Sequence, residues 1–277
     1  MTDFTRHSVV VMIRTRLSQL ALIAGFALCA EAQTHQGEPY FLVRIVRSPI
    51  RPEPNATIEP YRAARAAVDV IGMNATTGTS QTWLIESHRS FSSIEETDKA
   101  LSQAPLTRNS RGEIDEEVFA PSTRLIGLFR AGLGYRPEEA IKLMHTARYF
   151  QVTIFRIRPG ADFELAELVR LRRAAFDSIN LDRPEIGYQI ISGSTSGMYM
   201  FLAPLPSMRM LDNGFARMPV YAEGLGPGGG KAGRQIAADA DATREHIFFR
   251  VEPQKSHVSE AFAAADPEFW RPAISPR

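Results

Sequence analysis

The sequence predicts an α+β protein built from two tandem βαββαβ units. Three observations lead there. The segment Tyr40-Phe41-Leu42-Val43-Arg44-Ile45-Val46-Arg47 recurs as Tyr149-Phe150-Gln151-Val152-Thr153-Ile154-Phe155-Arg156, with Tyr, Phe, Val, Ile and Arg at matching places. Further matches follow in the same order. Between them the periodicity switches from the strand pattern to the helical one and back.

Both repeated segments are rich in aromatic and β-branched residues, and each runs into a proline, Pro49 or Pro159, which cannot donate to a ladder. Thr79-Ser80 before Trp83-Leu84-Ile85 parallels Thr195-Ser196 before Tyr199-Met200-Phe201, and Ser90-Phe91 parallels Ser207-Met208. Leu128-Phe129-Arg130 parallels Phe248-Phe249-Arg250. In the second copy, Leu165, Leu168, Val169, Phe176 and Ile179 recur at helical spacing, which predicts a helix from Asp162 to Ile179. The matching helix of the first copy is expected to start at Thr57 as N-cap, with Pro60 in its first turn. Ile186–Ile191 and Met198–Leu202 read as strands joined by a Ser/Gly-rich hairpin loop. Second helices are expected at Ile94–Leu101 and Ser207–Phe215, and last strands at Arg124–Arg130 and His246–Val251.

Domain organisation follows: a signal peptide over residues 1–32, repeats over 38–137 and 146–258, and a C-terminal tail over 259–277. The second repeat carries a glycine-rich insertion at 224–233, expected as a flexible loop before a short helical segment at Gln235–Ala242. Phe269 and Trp270 of the tail are expected to pack on the body. The signal assignment rests on Arg14 and Arg16, the apolar run Leu17–Ala30 and the small residues Ala30 and Ala32, so a secreted or periplasmic location is expected. No other stretch reaches membrane length. The sole cysteine, Cys29, lies in the leader, so no internal disulfide is expected in the mature fold. A net charge of +1 gives no sign of a nucleic-acid partner. Asn55-Ala56-Thr57 and Asn74-Ala75-Thr76 match the glycosylation acceptor, which matters only in a eukaryotic source.

The element order is that of a ferredoxin-like unit. Two such units in one chain, with the opening strand, Arg158-Pro159-Gly160 leading into an acidic helix start and the long first helix, resemble the dimeric α/β barrel superfamily. That group includes the antibiotic-monooxygenase-like, EthD-like and NIPSNAP-like domains. The likeness covers Tyr40 to Pro253 and implies two four-stranded sheets face to face, both supplied here by one chain, so that a monomer can close the barrel. Such a fold hosts enzymes, haem proteins and proteins without known activity. Haem-binding relatives use one histidine, for which His145 or His257 stands at a suitable place.

No catalytic motif is present. The glycine run fails as a phosphate loop, because Leu225 replaces its first glycine and Ala232 its Ser or Thr. Ser194 sits in a hairpin, not in a strand-to-helix elbow. The histidines show no ligand spacing, so neither metal nor cofactor is expected. Arg47 and Arg156 share strand parity with apolar residues and could meet an anionic or carbonyl-bearing ligand at a pocket mouth. Alternatively, each sits at a strand end and reaches solvent or a carboxylate. Trp83, Tyr188 and Tyr199 could line the same cavity, or serve as core. The function expected is a secreted, non-catalytic module for a small organic ligand or another partner. The alternative is a cofactor-independent monooxygenase or isomerase acting on a small aromatic or apolar substrate.

Overall fold

In the computed structural model, which describes residues 38, 40–49, 54–103, 122–226 and 228–271, both halves of the chain run strand, helix, strand, strand, helix, strand. The first half consists of β1 (Leu42–Ser48), α1 (Pro54–Ala63), β2 (Asp69–Ala75), β3 (Thr82–His88), α2 (Phe91–Gln103) and β4 (Thr123–Phe129). A linking helix α3 (Pro137–Met144) leads to β5 (Tyr149–Arg156), α4 (Asp162–Ser178), β6 (Ile186–Ser192) and β7 (Met198–Leu205). Three helices follow, α5 (Arg209–Ala216), α6 (Met218–Gly224) and α7 (Gly229–Asp239), and then β8 (Thr243–Val251). The tail adds a 3-10 turn (Pro253–Lys255), α8 (Glu260–Ala263) and α9 (Pro267–Trp270). The expected signal segment and the polar stretch Thr107–Asp115 lie outside the described residues.

Each half orders its strands as a ferredoxin-like sheet, β4-β1-β3-β2 and β8-β5-β7-β6, all antiparallel. The sheets join through β2–β8 and β4–β6 into one closed eight-stranded barrel. The fold class read from the sequence is therefore the one observed. Alternation decides which side chains enter the barrel. Val43, Ile45, Met73, Trp83, Leu125, Phe150, Val152, Ile154, Tyr188, Met200 and Phe249 fill it as one cluster. Trp83 and Phe249, from opposite halves, meet with ring centroids 4.6 Å apart.

One end of the barrel is plugged. Ala140 and Met144 of α3 and Phe262 and Trp270 of the tail join the interior cluster there. Trp270 donates its indole N–H to the His145 carbonyl at 2.6 Å, and Arg148 bonds Asp266 and lies over the Phe269 ring. The tail aromatics thus pack down as their size demands. Between β8 and this plug the chain returns along the first sheet. His257 exchanges backbone hydrogen bonds with Val70, and the Ser259 amide donates to Asp69.

Four local expectations need correction. Helix α1 starts at Pro54, and Thr57 lies inside it, consistent with the preference of proline for the first helical turn. The loop expected over 224–233 is short: Gly228, at φ +81°, turns the chain into α7, which begins at Gly229 and packs on α4. Tertiary packing overrides the poor helix propensity of its glycines. Asn74 is a poor glycosylation acceptor, because its side chain lies on β2 bonded to Glu252, Thr82 and Lys255. The match of Trp83 with Tyr199 is also one residue out of register. Arg47 stands opposite Trp83, but Arg156 stands opposite Met198. A slip of one moves a side chain to the other face of the sheet, and Tyr199 points outward.

Candidate functional site

Strands β1 and β5 run in the same direction around the barrel, so their final residues reach the same, unplugged mouth. Arg47 is the fuller of the two candidate arginines. Its guanidinium carbon lies 4.8 Å from the centroid of the Trp83 ring. Gln81 holds both groups: its Oε1 accepts from Trp83 Nε1 at 2.7 Å and from Arg47 Nη2 at 3.3 Å. Among the described residues no carboxylate forms an ion pair with Arg47. Burial lowers the pKa of this guanidinium; Glu245 opposes that, and the like charge of Arg156 adds to it. Arg47, Gln81, Ser48, Pro49, Ser122 and Thr123 line a cleft of about 390 Å³.

Arg156 meets solvent, with its side chain 44% exposed and Nη1 3.6 Å from Glu245 Oε2. That is the strand-end alternative rather than a buried cation awaiting a ligand. Glu245 has the inward parity of Ile247 and Phe249, so among the described residues two guanidiniums and the Glu245 carboxylate meet at the mouth. Tyr188 is fully buried inside the barrel, edge-on to Phe129, and donates its hydroxyl to the Tyr40 carbonyl at 3.3 Å. Tyr199 lies on the outer face under α4, among Leu165, Val169 and Phe201. Its hydroxyl donates to Asp162 and accepts from Gln189 Nε2 at 3.4 Å. The structure therefore joins Arg47 to Trp83, places Arg156 across the same mouth, and sends Tyr188 and Tyr199 elsewhere.

A second polar cluster was not anticipated. On the outer face of the first sheet, Arg44 stands directly opposite Glu86. Arg44 Nη2 and Glu86 Oε2 are 2.7 Å apart, with side chains 7% and 0% exposed. Tyr61 of α1 donates to Glu86 Oε1 at 2.8 Å, and His88 Nε2 lies 3.1 Å from Glu86 Oε2. From α2, Asp98 accepts from Arg44 at 2.5 Å and Ser93 meets His88 Nδ1 at 3.1 Å. Burial pushes the Glu86 carboxyl up, but His88, Arg44 and Tyr61 outweigh it and hold the carboxyl below its ordinary value. Every oxygen of Glu86 is engaged, so the cluster fastens both helices to the sheet rather than presenting a reactive group. Its sequence signal was a lone arginine and a lone glutamate at matching parity in two apolar strands. Glu245 and Gln81 were missed because neither belongs to the repeated pattern.

The histidines named for haem do not fit an axial ligand. His145 packs its ring 4.2 Å from Phe262 in the plugged end, and His257 Nε2 lies 2.9 Å from the Ala66 carbonyl oxygen. Among the described residues no group of three or more His, Cys, Asp or Glu side chains is placed to hold a metal ion. Nor is any described helix long and apolar enough to cross a membrane.

The class these features define is a single-chain α/β barrel of two ferredoxin-like halves, with a packed interior, one plugged end and one polar mouth. No protein-family model matches the chain, and no curated protein does. Among solved structures the chain is similar to an anthrone oxidase-like protein at 10% identity and a TM-score of 0.48, covering 78% of this chain and 93% of that one. A mutant chlorite dismutase from Candidatus Nitrospira defluvii matches at 10% identity and a TM-score of 0.43, covering 78% and 93%. A candidate monooxygenase from Lactobacillus acidophilus matches at 10% identity and 0.42, covering 80% and 99%.

Proposed function

We propose that this protein is an exported, non-catalytic module that binds a small carboxylate-bearing organic ligand at the open mouth of its barrel, with Arg47 as the anchoring cation. One observation carries the reading. Arg47 is a half-buried guanidinium lining a cleft, fixed by the Trp83 ring and the Gln81 oxygen, and among the described residues it has no carboxylate in ion-pair contact. A planar, pre-oriented guanidinium suits bidentate capture of a carboxylate. Among the described residues, Arg156 across the mouth adds a second cation against the Glu245 carboxylate. The alternative, a cofactor-independent oxygenase or isomerase, needs a shaped apolar pocket. The packing of Trp83, Phe150, Tyr188 and Phe249 into the barrel supports binding over that chemistry.

Thermal melts with a panel of small organic acids test the ligand class. A subset of acids should raise the midpoint of the wild type, and Arg47→Met should abolish that rise while leaving the unligated midpoint nearly unchanged. Equal shifts with every acid in both proteins would remove Arg47 from the site. Export is tested separately by N-terminal sequencing from the native host: a start just after Ala32 supports it, and an intact N-terminus in the cytoplasm overturns it.

A further inference from the structure

The cleft beside Arg47 restricts its ligand by more than charge. Among the described residues its lining is Arg47, Ser48, Pro49, Gln81, Ser122 and Thr123, of which only Pro49 is apolar. The Trp83 ring adds no apolar wall. It is fully buried, with the Arg47 guanidinium 4.8 Å from its centroid and the Phe249 ring 4.6 Å away. An aromatic or aliphatic acid entering here would give up water against polar groups and find no ring to stack on.

Gln81 carries the chemistry further. It is only 8% exposed. Trp83 Nε1 and Arg47 Nη2 both approach its carboxamide, and both are donors without acceptor capacity. The oxygen must therefore face them, and the amide nitrogen takes the other side. Gln81 Nε2 has no hydrogen-bond partner among the described residues. The enclosed side-chain atoms without a partner, among the same residues, are Tyr135 Oη and Gln151 Oε1, so Gln81 Nε2 is open to the cleft that Gln81 lines. Three hydroxyls stand around it. Thr123 is directly opposite Arg47 in the β1–β4 ladder, Ser122 precedes it, and Ser48 follows Arg47. Among the described residues no hydrogen bond occupies these hydroxyls.

We propose that the ligand of the mouth is a small hydroxy-carboxylate of the sugar-acid class, its carboxylate on Arg47 and its hydroxyls on Gln81 Nε2, Thr123, Ser122 and Ser48. This rests on the carboxylate reading of Arg47 and narrows it. The carboxylate takes the free N–H groups of the guanidinium. The Gln81 donors are then met by an oxygen on the neighbouring carbon, and an acid without that oxygen leaves them unpaired. Hydroxyls both give and accept, so a vicinal diol pairs with the Ser and Thr hydroxyls in either sense. A site made of hydrogen-bonding groups rejects the analogue that lacks the hydroxyl far better than an apolar pocket rejects an added one.

Calorimetric titration of the full chain tests this with two pairs of acids matched in carbon count, gluconate against hexanoate and glycerate against propionate, and with glucuronate and benzoate besides. At least one hydroxy acid should bind about tenfold or more tightly than its deoxy partner and than benzoate, and Arg47→Met should abolish that binding. Thr123→Val, at an exposed strand position, removes one hydroxyl. It should weaken the preferred hydroxy acid about three- to tenfold and leave the deoxy acid unchanged. The unligated thermal midpoint of each variant shows that it is folded. If a deoxy acid or benzoate binds as tightly as the hydroxy acids and still needs Arg47, the sugar-acid assignment falls and the carboxylate reading stands. If no hydroxy acid binds, the assignment falls as well, and the melts with the wider acid panel decide whether the carboxylate reading falls with it. Hydroxy acids that bind Arg47→Met as well as the wild type overturn both.

Discussion

Replacing Arg44 with methionine should be the most damaging single change on the first sheet. Methionine keeps much of the apolar stem but leaves Glu86 without its cation. Glu86 is fully buried, and its oxygens now meet Arg44, Tyr61 and His88. Removing one partner of a buried pair costs about 3–5 kcal/mol. The Asp98 arm adds little, because that side chain is 60% exposed. In a domain of this size each kcal/mol moves the midpoint by about 2–4 °C, so a fall of roughly 6–20 °C is expected. The loss should depend on pH. In the wild type the depressed Glu86 carboxyl contributes stability that is present above the unfolded value of about 4.3 and disappears as pH falls through the folded one. In Arg44→Met burial dominates and the carboxyl titrates upward, so the variant's deficit should be widest near neutrality and narrow toward about pH 4. Urea unfolding of both proteins across that range is the assay, and Arg44→Met combined with Glu86→Gln should recover much of the loss. A deficit below about 1 kcal/mol at neutral pH, or one that stays flat as pH falls, would refute the reasoning.

Arg156→Met should change stability by less than about 1 kcal/mol, because its pairing with Glu245 is long and exposed, and thermal melts check this. A larger loss would mean that Arg156 is more than a strand-end cation. Gly72→Ala should be severe: a Cβ there would stand 2.2 Å from the Lys255 carbonyl oxygen, where the 3-10 turn crosses β2. A shifted turn should appear as accelerated amide exchange at Glu252 and His257, and unaltered exchange with an unaltered midpoint would contradict this close approach.

Strand positions were legible because they rest on period-two alternation and on an eight-residue segment that recurs with five residues unchanged. The match of Leu128-Phe129-Arg130 with Phe248-Phe249-Arg250 survives in the ladders, where Leu42 faces Leu128 and Gln151 faces Phe248. Trp83 and Tyr199 misled because an aromatic was matched to an aromatic while the paired strand fixed a different register. Of the site, Arg47 was readable from strand parity and Trp83 from its aromatic character. Their shared Gln81 was not, since it precedes the strand and is placed by the turn. The polar pair Arg44 and Glu86 was present in the strings but looked like noise in apolar strands until the register set them face to face.

The return of the chain from β8 across the first sheet has a kinetic consequence. Its bonds join residues such as Asp69 and Ser259, 190 positions apart. The seam it crosses, β2 with β8, pairs only Met73 to Ala75 with Phe249 to Val251. Neither the seam nor the strap can form until the chain of both halves has been made, and loop closure over such a span is slow. A nascent chain therefore holds an open first sheet whose β2 edge lacks a partner. In that interval the edge is a template for any other strand, including β8 of a second molecule.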